Sequence, residues 1–329
     1  MRSTASLSWI KRAAGLDPLP VPPHVFALGR RELRYAAFAR RRGEDALELA
    51  EAAAVPLAEN VLGGGPLGAP LADLEAFRGA LGQLLARVGG KVERASLVLP
   101  DAWARAFVVE LGDLPDEEPQ RSEVLRFKLK RLVPFRVEEL RVAAAPLAPL
   151  AGQQEPLRVL VAFAAEALCG ALERVFAERG VRLGQIVGST QALLGALAFR
   201  GRLPGLAAVA LVQTEGFALV FARDGEPVVW RQKAFTDGLA DADRARLLAA
   251  ELRLTRTFLA DRVGEERPAA IVLAAPREVE PFWRDVLAAG LDSQPLALAS
   301  EHLPLLGEGL GPAVVQLAPM LGAACREVS

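Results

Sequence analysis

Two stretches of this chain carry the same succession of elements, and that repetition restricts the folds open to it. From residue 25 the sequence reads strand, strand, strand, helix. Residues 25–28 are short and apolar, and 33–39 form a second strand. A polar turn with Gly43 follows at 40–45, then a weaker third strand at 46–55. Residues 71–88 then place Leu71, Leu74, Phe77, Leu81, Leu84, Leu85 and Val88 at helical spacing. From residue 207 the pattern returns. Residues 208–212 are apolar, 217–222 alternate, Asp224-Gly225 is a tight-turn signal, and 227–235 is a third strand. The helix expected over 241–262 sets Leu247, Leu248, Leu252, Thr255, Phe258 and Leu259 on one face. Each meander has a glycine-containing loop between its first two strands: Leu28-Gly29-Arg30-Arg31 and Gln213-Thr214-Glu215-Gly216. Matching units in two halves point to an internal duplication, and short strands mixed with helices point to mixed α/β sheets.

The intervening segments fit that scheme. Strands are expected at 95–99 and 104–111, then a helix over about 120–132 closed by Pro134. Two strands follow near 140–147 and 157–163. The helix at 166–179 ends at Gly180, and a strand at 181–187 leads to a helix near Ser189, whose hydroxyl suits an N-cap. After the second meander come a buried strand at 269–274 and helices at 278–289 and 313–324. Residues 1–20 read as a short amphipathic arm with Leu7, Trp9 and Ile10. One or two turns bury too little area to make a membrane anchor the better reading.

Composition narrows the function classes. At 329 residues the chain is long enough for about two domains with sizeable cores. A formal net charge of −1 leaves no global basic field for nucleic acid. The two cysteines, Cys169 and Cys325, are far apart and suit buried free thiols in a reducing compartment. His24 and His302 sit in loop-like contexts beside prolines, without the partners that metal binding or general-base work requires. No run reaches the ~18 apolar residues of a membrane span, and no signal peptide opens the chain, so a cytoplasmic location is expected. Gly63, Gly65 and Gly68 spell GxGxxG, but Pro66 interrupts it and it reads as a loop. Arg121, Arg126, Lys128, Lys130 and Arg131 make the helix before Pro134 basic, which reads as a solvated face. Asp113, Asp116, Glu117 and Glu118 complement the dipole at its start rather than forming a catalytic pair.

A duplicated three-strand-plus-helices layout resembles the actin-like, ribonuclease H-like fold, in which ATP sits between two lobes. Within that fold the chain resembles the PilM family of type IV pilus assembly proteins. The run from Arg126-Phe127-Lys128 to Val133-Pro134-Phe135, with the acidic pair Glu138-Glu139 after it, is similar to that family's helix and Val-Pro-Phe segment. Leu97-Val98-Leu99-Pro100, Phe107-Val108-Val109-Glu110-Leu111 and Leu317–Ala324 fit its strand pair and terminal helix. The resemblance spans residues 25–326. It implies an arm at 1–20 and a first lobe at 21–188 with an inserted subdomain at about 92–165. A second lobe at 189–312 opens on a connecting helix at 189–199, and a C-terminal helix at 313–329 returns to the first lobe. Few residues lie between Asp237 and Asp241, so the second-lobe subdomain is expected to be trimmed.

The same resemblance allows the nucleotide site to be tested residue by residue. Actin-like ATPases need an acid near a glycine in each phosphate loop, because Mg²⁺ takes carboxylate oxygens or waters held by them. Glycines let backbone N–H groups approach the phosphates. Here Ala27 stands at the first acid position, Gly29 is kept, and Arg30 and Arg31 follow. In the second loop Leu211 stands at the acid and Gln213 at the glycine, with Gly216 further on. On the adenine side, Ala274, Ala275 and Pro276 replace glycines. No catalytic residue, metal or cofactor is therefore expected. The resemblance implies a non-catalytic scaffold, peripheral to the inner membrane, that binds the N-terminal tail of a PilN-like single-span protein. Leu97, Val98, Phe107, Val109, Pro134 and Phe135 are the expected walls of that groove. The alternatives are the cytoplasmic part of a type II secretion protein, an ATP-binding filament former, and a kinase of the sugar or acetate type.

Overall fold

The computed structural model describes residues 22–40, 46–58, 61, 71–117, 119–133, 136–150, 156–201, 203–235, 239–265, 267–307 and 309–325. The expected arm at 1–20, the GxGxxG loop, Pro134, Phe135 and Asp237 lie outside them.

The first meander is β1 (His24–Leu28), β2 (Glu32–Arg40) and β3 (Leu47–Pro56). Its strands pair antiparallel, with Leu28 opposite Leu33 at the first turn. β4 (Arg94–Leu99) joins β1 in parallel, and β8 (Arg182–Gly188) joins β4 in parallel. The second meander is β9 (Leu206–Gln213), β10 (Gly216–Arg223) and β11 (Glu226–Ala234), also antiparallel. β12 (Ala270–Ala274) joins β9 in parallel, and the two-residue β13 (Leu296–Ala297) joins β12 in parallel. Third strand, second, first, then two parallel additions is the order in both sheets. The duplication seen in the sequence is therefore a duplication of topology. A further two-residue strand, β14 (Leu305–Leu306), crosses back and extends the first sheet beside β3.

Helices cover the sheets because each sheet face is apolar. α1 (Leu74–Arg87) is capped by Asp73, whose carboxylate accepts from the Ala76 N–H at 2.9 Å, and it buries Phe77, Leu81 and Leu84. These pack with Phe26 and with Phe176 of α3 (Glu166–Glu178). In the second sheet, α5 (Asp241–Val263) and α6 (Glu280–Leu291) supply Leu248, Leu252, Leu259, Trp283 and Leu287. Residues 217–222, expected to alternate, are all buried. Both faces of β10 are covered, as a central strand of an α/β sheet requires.

Between the two sheets run α4 (Ser189–Ala198) and α7 (Val314–Cys325), packed on each other and sharing one core with both sheets. Their approach is close: a Cβ added at Gly322 would lie 1.8 Å from the Ala192 carbonyl oxygen. A third sheet, β5 (Ala104–Leu111), β7 (Leu157–Ala165) and β6 (Leu140–Pro146), is inserted between β4 and β8 and carries α2 (Gln120–Leu129). Among the described residues, no helix is long and apolar enough to cross a membrane.

Two local expectations are corrected. His24 begins β1 rather than lying in a loop, and its Nδ1 is 2.7 Å from the Tyr35 hydroxyl. Burial lowers the His24 pKa and pushes Tyr35 up to about 12. Ser189 does not cap α4: its Oγ donates to the Leu99 carbonyl at 2.9 Å, and Gly188 occupies the cap position. Both cysteines are buried and neither is in a disulfide, and burial raises the Cys169 thiol to about 11.

Candidate functional site

The two glycine-containing loops, 186 residues apart at the Ala27 to Gln213 extremes, meet in one cleft. Each follows the first strand of its sheet, so equivalent topology delivers them to equivalent places. The cleft has a volume of about 370 Å³, within the roughly 300–1,000 Å³ range of small-molecule sites. Ala27, Gly29, Arg30 and Arg31 line it from the first sheet, and Leu211 and Gln213 from the second. Val98, Val315, Pro276 and Pro319 add apolar surface.

Ala27 and Leu211 present alkyl groups, with no oxygen ligand, to the cleft. The carboxylates among the lining residues are Glu32 and Glu215. Glu32 accepts from Arg34 Nε at 2.6 Å. Burial raises the Glu215 pKa, and the Arg30 charge across the cleft opposes that shift. The Gly29 N–H donates to the Glu32 carbonyl at 2.9 Å and closes the hairpin. Among the described residues, no group of three or more His, Cys, Asp or Glu side chains could hold a metal ion.

Two expected loop residues sit outside this cleft. Gly216 lies against β11, where an added Cβ would stand 2.1 Å from the Lys233 carbonyl oxygen; the glycine is required by strand packing. Ala274 is fully buried in the core, and Pro276 reaches the cleft in its place.

Beside the cleft is a polar node that the sequence did not reveal. Asp101 follows β4 and is 8% exposed. Its Oδ1 accepts from the Thr190 N–H at 3.0 Å, and its Oδ2 accepts from the Thr190 hydroxyl. Asp101 thereby serves the N-terminus of α4, the task expected of Ser189. Its own N–H donates to Gln213 Oε1 at 3.1 Å, so Gln213 ties the two sheets together. Burial raises the Asp101 carboxyl from 3.8 to about 6, against smaller lowering by its Thr190 bonds. The one signal available was position: Asp101 lies past the carboxyl end of a parallel strand, where α/β sheets place ligands.

Of the expected peptide walls, Pro134 and Phe135 lie outside the described residues, and the other four lie in different settings. Leu97 is fully buried under α1 and α3, while Val98 lines the cleft. Phe107 and Val109 belong to the inserted sheet. Val109 is interior, and the partly buried Phe107 packs on Phe163 at 5.6 Å.

No protein-family model matches the chain, and no curated protein matches it. Solved structures do. A chain of a PilM-PilN type IV pilus biogenesis complex superposes with a TM-score of 0.72 at 18% identity, over 94% of this chain and 100% of that one. A Bacteroides thetaiotaomicron protein with an actin-like ATPase fold and unknown function gives 0.51 at 9% identity, over 84% and 91%. The cytoplasmic domain of EpsL, an inner membrane component of the type II secretion system of Vibrio cholerae, gives 0.50 at 11% identity, over 93% and 96%. With two sheets of one topology facing a shared cleft, this chain has the actin-like fold.

Proposed function

We propose that this protein is a non-catalytic scaffold of a type IV pilus assembly machine, working at the cytoplasmic face of the inner membrane. Its partner in this reading is the N-terminal tail of a PilN-like single-span protein. The observation that carries the proposal is the full-length likeness to the PilM-PilN complex. The likeness to EpsL supports an envelope assembly machine more generally and keeps a type II secretion role as the nearest alternative.

The cleft supports the non-catalytic part. Mg-ATP hydrolysis needs a metal held by carboxylates or their waters, and Ala27 and Leu211 supply neither. Glu32 is paired with Arg34, and Glu215 faces Arg30. A tail peptide needs sheet edges and partly apolar walls, with no reactive group. In this reading the tail would lie near the partly exposed Phe107 of β5, on the inserted sheet.

Calorimetric titration with Mg-ATP, and separately with a synthetic N-terminal tail peptide of a PilN-like protein, tests the reading. The expected result is heat from the peptide and none from Mg-ATP at millimolar concentration. Tight Mg-ATP binding with phosphate release would instead make the protein an ATP-dependent switch or a kinase-like enzyme.

A further inference from the structure

The C-terminal end of α2, just ahead of the expected groove residues Pro134 and Phe135, presents a combination that the cleft does not use. Phe127 is 69% exposed and Leu132, in the turn after the helix, is 47% exposed. Both rank among the most exposed large apolar side chains of the described residues, and they lie five positions apart, one in α2 and one in the turn that follows it. The inward side of α2 is occupied separately, by Leu125 and Leu129 with Val133 beyond, packed on the inserted sheet. Phe127 therefore points away from the core it could have joined, and its exposure is not a packing shortfall.

The charges around these two side chains are mostly positive, with Glu123 one turn before Phe127 and the exposed Glu138 and Glu139 in the short turn at Val137–Glu139 that packs on α2. Residues 120–133 hold five cations (Arg121, Arg126, Lys128, Lys130, Arg131) and one acid, Glu123, a net +4 in a chain whose total is −1. Two of the cations are engaged by the protein: Arg121 donates to the Pro115 and Asp116 carbonyls, and Arg126 to the Leu140 carbonyl. Lys128, Lys130 and Arg131 stand beside the apolar pair. Lys130 and Arg131 are exposed, and the Arg131 guanidinium lies 5.8 Å from the Phe127 ring centre. Lysine is scarce here, with five in the whole chain, and two of them fall in this one helical turn.

We infer that this end of α2 docks on an anionic lipid surface, with Phe127 and Leu132 entering the headgroup region and Lys128, Lys130 and Arg131 meeting lipid phosphates. Protruding apolar side chains flanked by long cations are the arrangement of an interfacial helix end. The stems of the cations follow the apolar pair inward while their heads stay at the phosphates. The exposed apolar pair also argues for lipid: Phe127 and Leu132 can leave water for the boundary between headgroups and acyl chains, a place that an acidic protein surface does not offer. The inference goes beyond the scaffold reading and can fail without it.

The test is flotation of the full-length protein with phosphatidylcholine vesicles, with and without phosphatidylglycerol. Binding is expected only when phosphatidylglycerol is present, weakening as salt rises. Each cation near an anionic surface is worth about fivefold, so Lys130→Gln/Arg131→Gln together should lower the partition coefficient by more than about tenfold. Phe127→Ser should lower it on the same vesicles while leaving the thermal midpoint and tail-peptide affinity unchanged, because the ring is exposed. Equal recovery with both vesicle types, or binding unaffected by both variants, overturns the inference. So does absence of vesicle binding together with salt-sensitive binding to soluble polyglutamate, which would assign the patch to an acidic protein.

Discussion

Asp101 shows how one buried acid can be both a tie and a cost. Its carboxylate satisfies the Thr190 N–H and hydroxyl at the start of α4, and its backbone N–H reaches Gln213 in the other lobe. Burial nevertheless lifts its pKa from 3.8 to about 6, so the ionised form is disfavoured in the folded protein. The folded state then binds this proton more tightly than the unfolded chain does. Stability from this group falls as pH rises from about 4 to about 6 and is lowest above that, by roughly 3 kcal/mol. Glu215 is shifted in the same direction by burial. Glu93, Glu166 and Glu178, lowered chiefly by Lys91, Arg141 and Arg78, act oppositely, and their contribution is lost as pH falls through their depressed values, below the usual 4.5. Asp101→Asn keeps an acceptor for the Thr190 N–H and removes the titration. Its advantage in urea midpoint over the wild type should shrink as pH is lowered from 7 to 5; a constant difference would mean that Asp101 does not titrate there. The sequence hid this role because Thr190 is remote in the chain and a hydroxyl at position 189 looked like the natural cap.

At the scale of elements, the crossing of α4 and α7 depends on small residues. Gly322 of α7 faces the backbone of α4 so closely that no side chain fits between them, with Gly195 and Ala196 nearby. Gly322→Ala should therefore destabilise by more than about 3 kcal/mol, since the two helices have to separate. Gly79, on the exposed side of α1, is the matched control: an added Cβ there meets nothing within 4 Å. Gly79→Ala should stabilise by about 0.5–1 kcal/mol through helix propensity alone. Chemical denaturation of both variants checks the pair, and equal effects would refute the close-packing account. The meanders were legible in the sequence because each is built of neighbouring strands with turn signals between them. β13 and β14 were not, because two residues carry no period and their pairing partners, β12 and β3, lie elsewhere in the chain. Gly322 was equally silent, since the oxygen it must clear belongs to Ala192. The candidate site divides the same way: both loops were found from their place after a first strand, whereas Gly216 and Ala274 turned out to serve packing.

At the scale of the molecule, the lobes are joined by more than a hinge. One core cluster runs from Val25, Phe38 and Val98 of the first sheet through α4 and α7 to Val209, Val220 and Val272 of the second. The inserted sheet adds a second connection. Arg158 of β7, 5% exposed, donates to the Ala148 carbonyl at 2.8 Å and to the Pro227 carbonyl of β11 at 2.6 Å. Burial lowers its pKa, yet the two carbonyls give the guanidinium the bonds it lost from water. The Glu226 carboxylate accepts from the Ala148 N–H at 2.7 Å, and Arg262 pairs with Glu110 across the same boundary. That last pair is partly exposed and contributes little, whereas breaking the Arg158 bonds leaves the buried Pro227 carbonyl unpaired. A molecule joined through a shared core should melt as one unit. Scanning calorimetry of the wild type should show one transition with matching calorimetric and van't Hoff enthalpies. Arg158→Ala should move that transition down as a whole, by a few kcal/mol of stability, without splitting it. Two resolved transitions, in either protein, would mean that the lobes fold separately and that the shared core does not couple them.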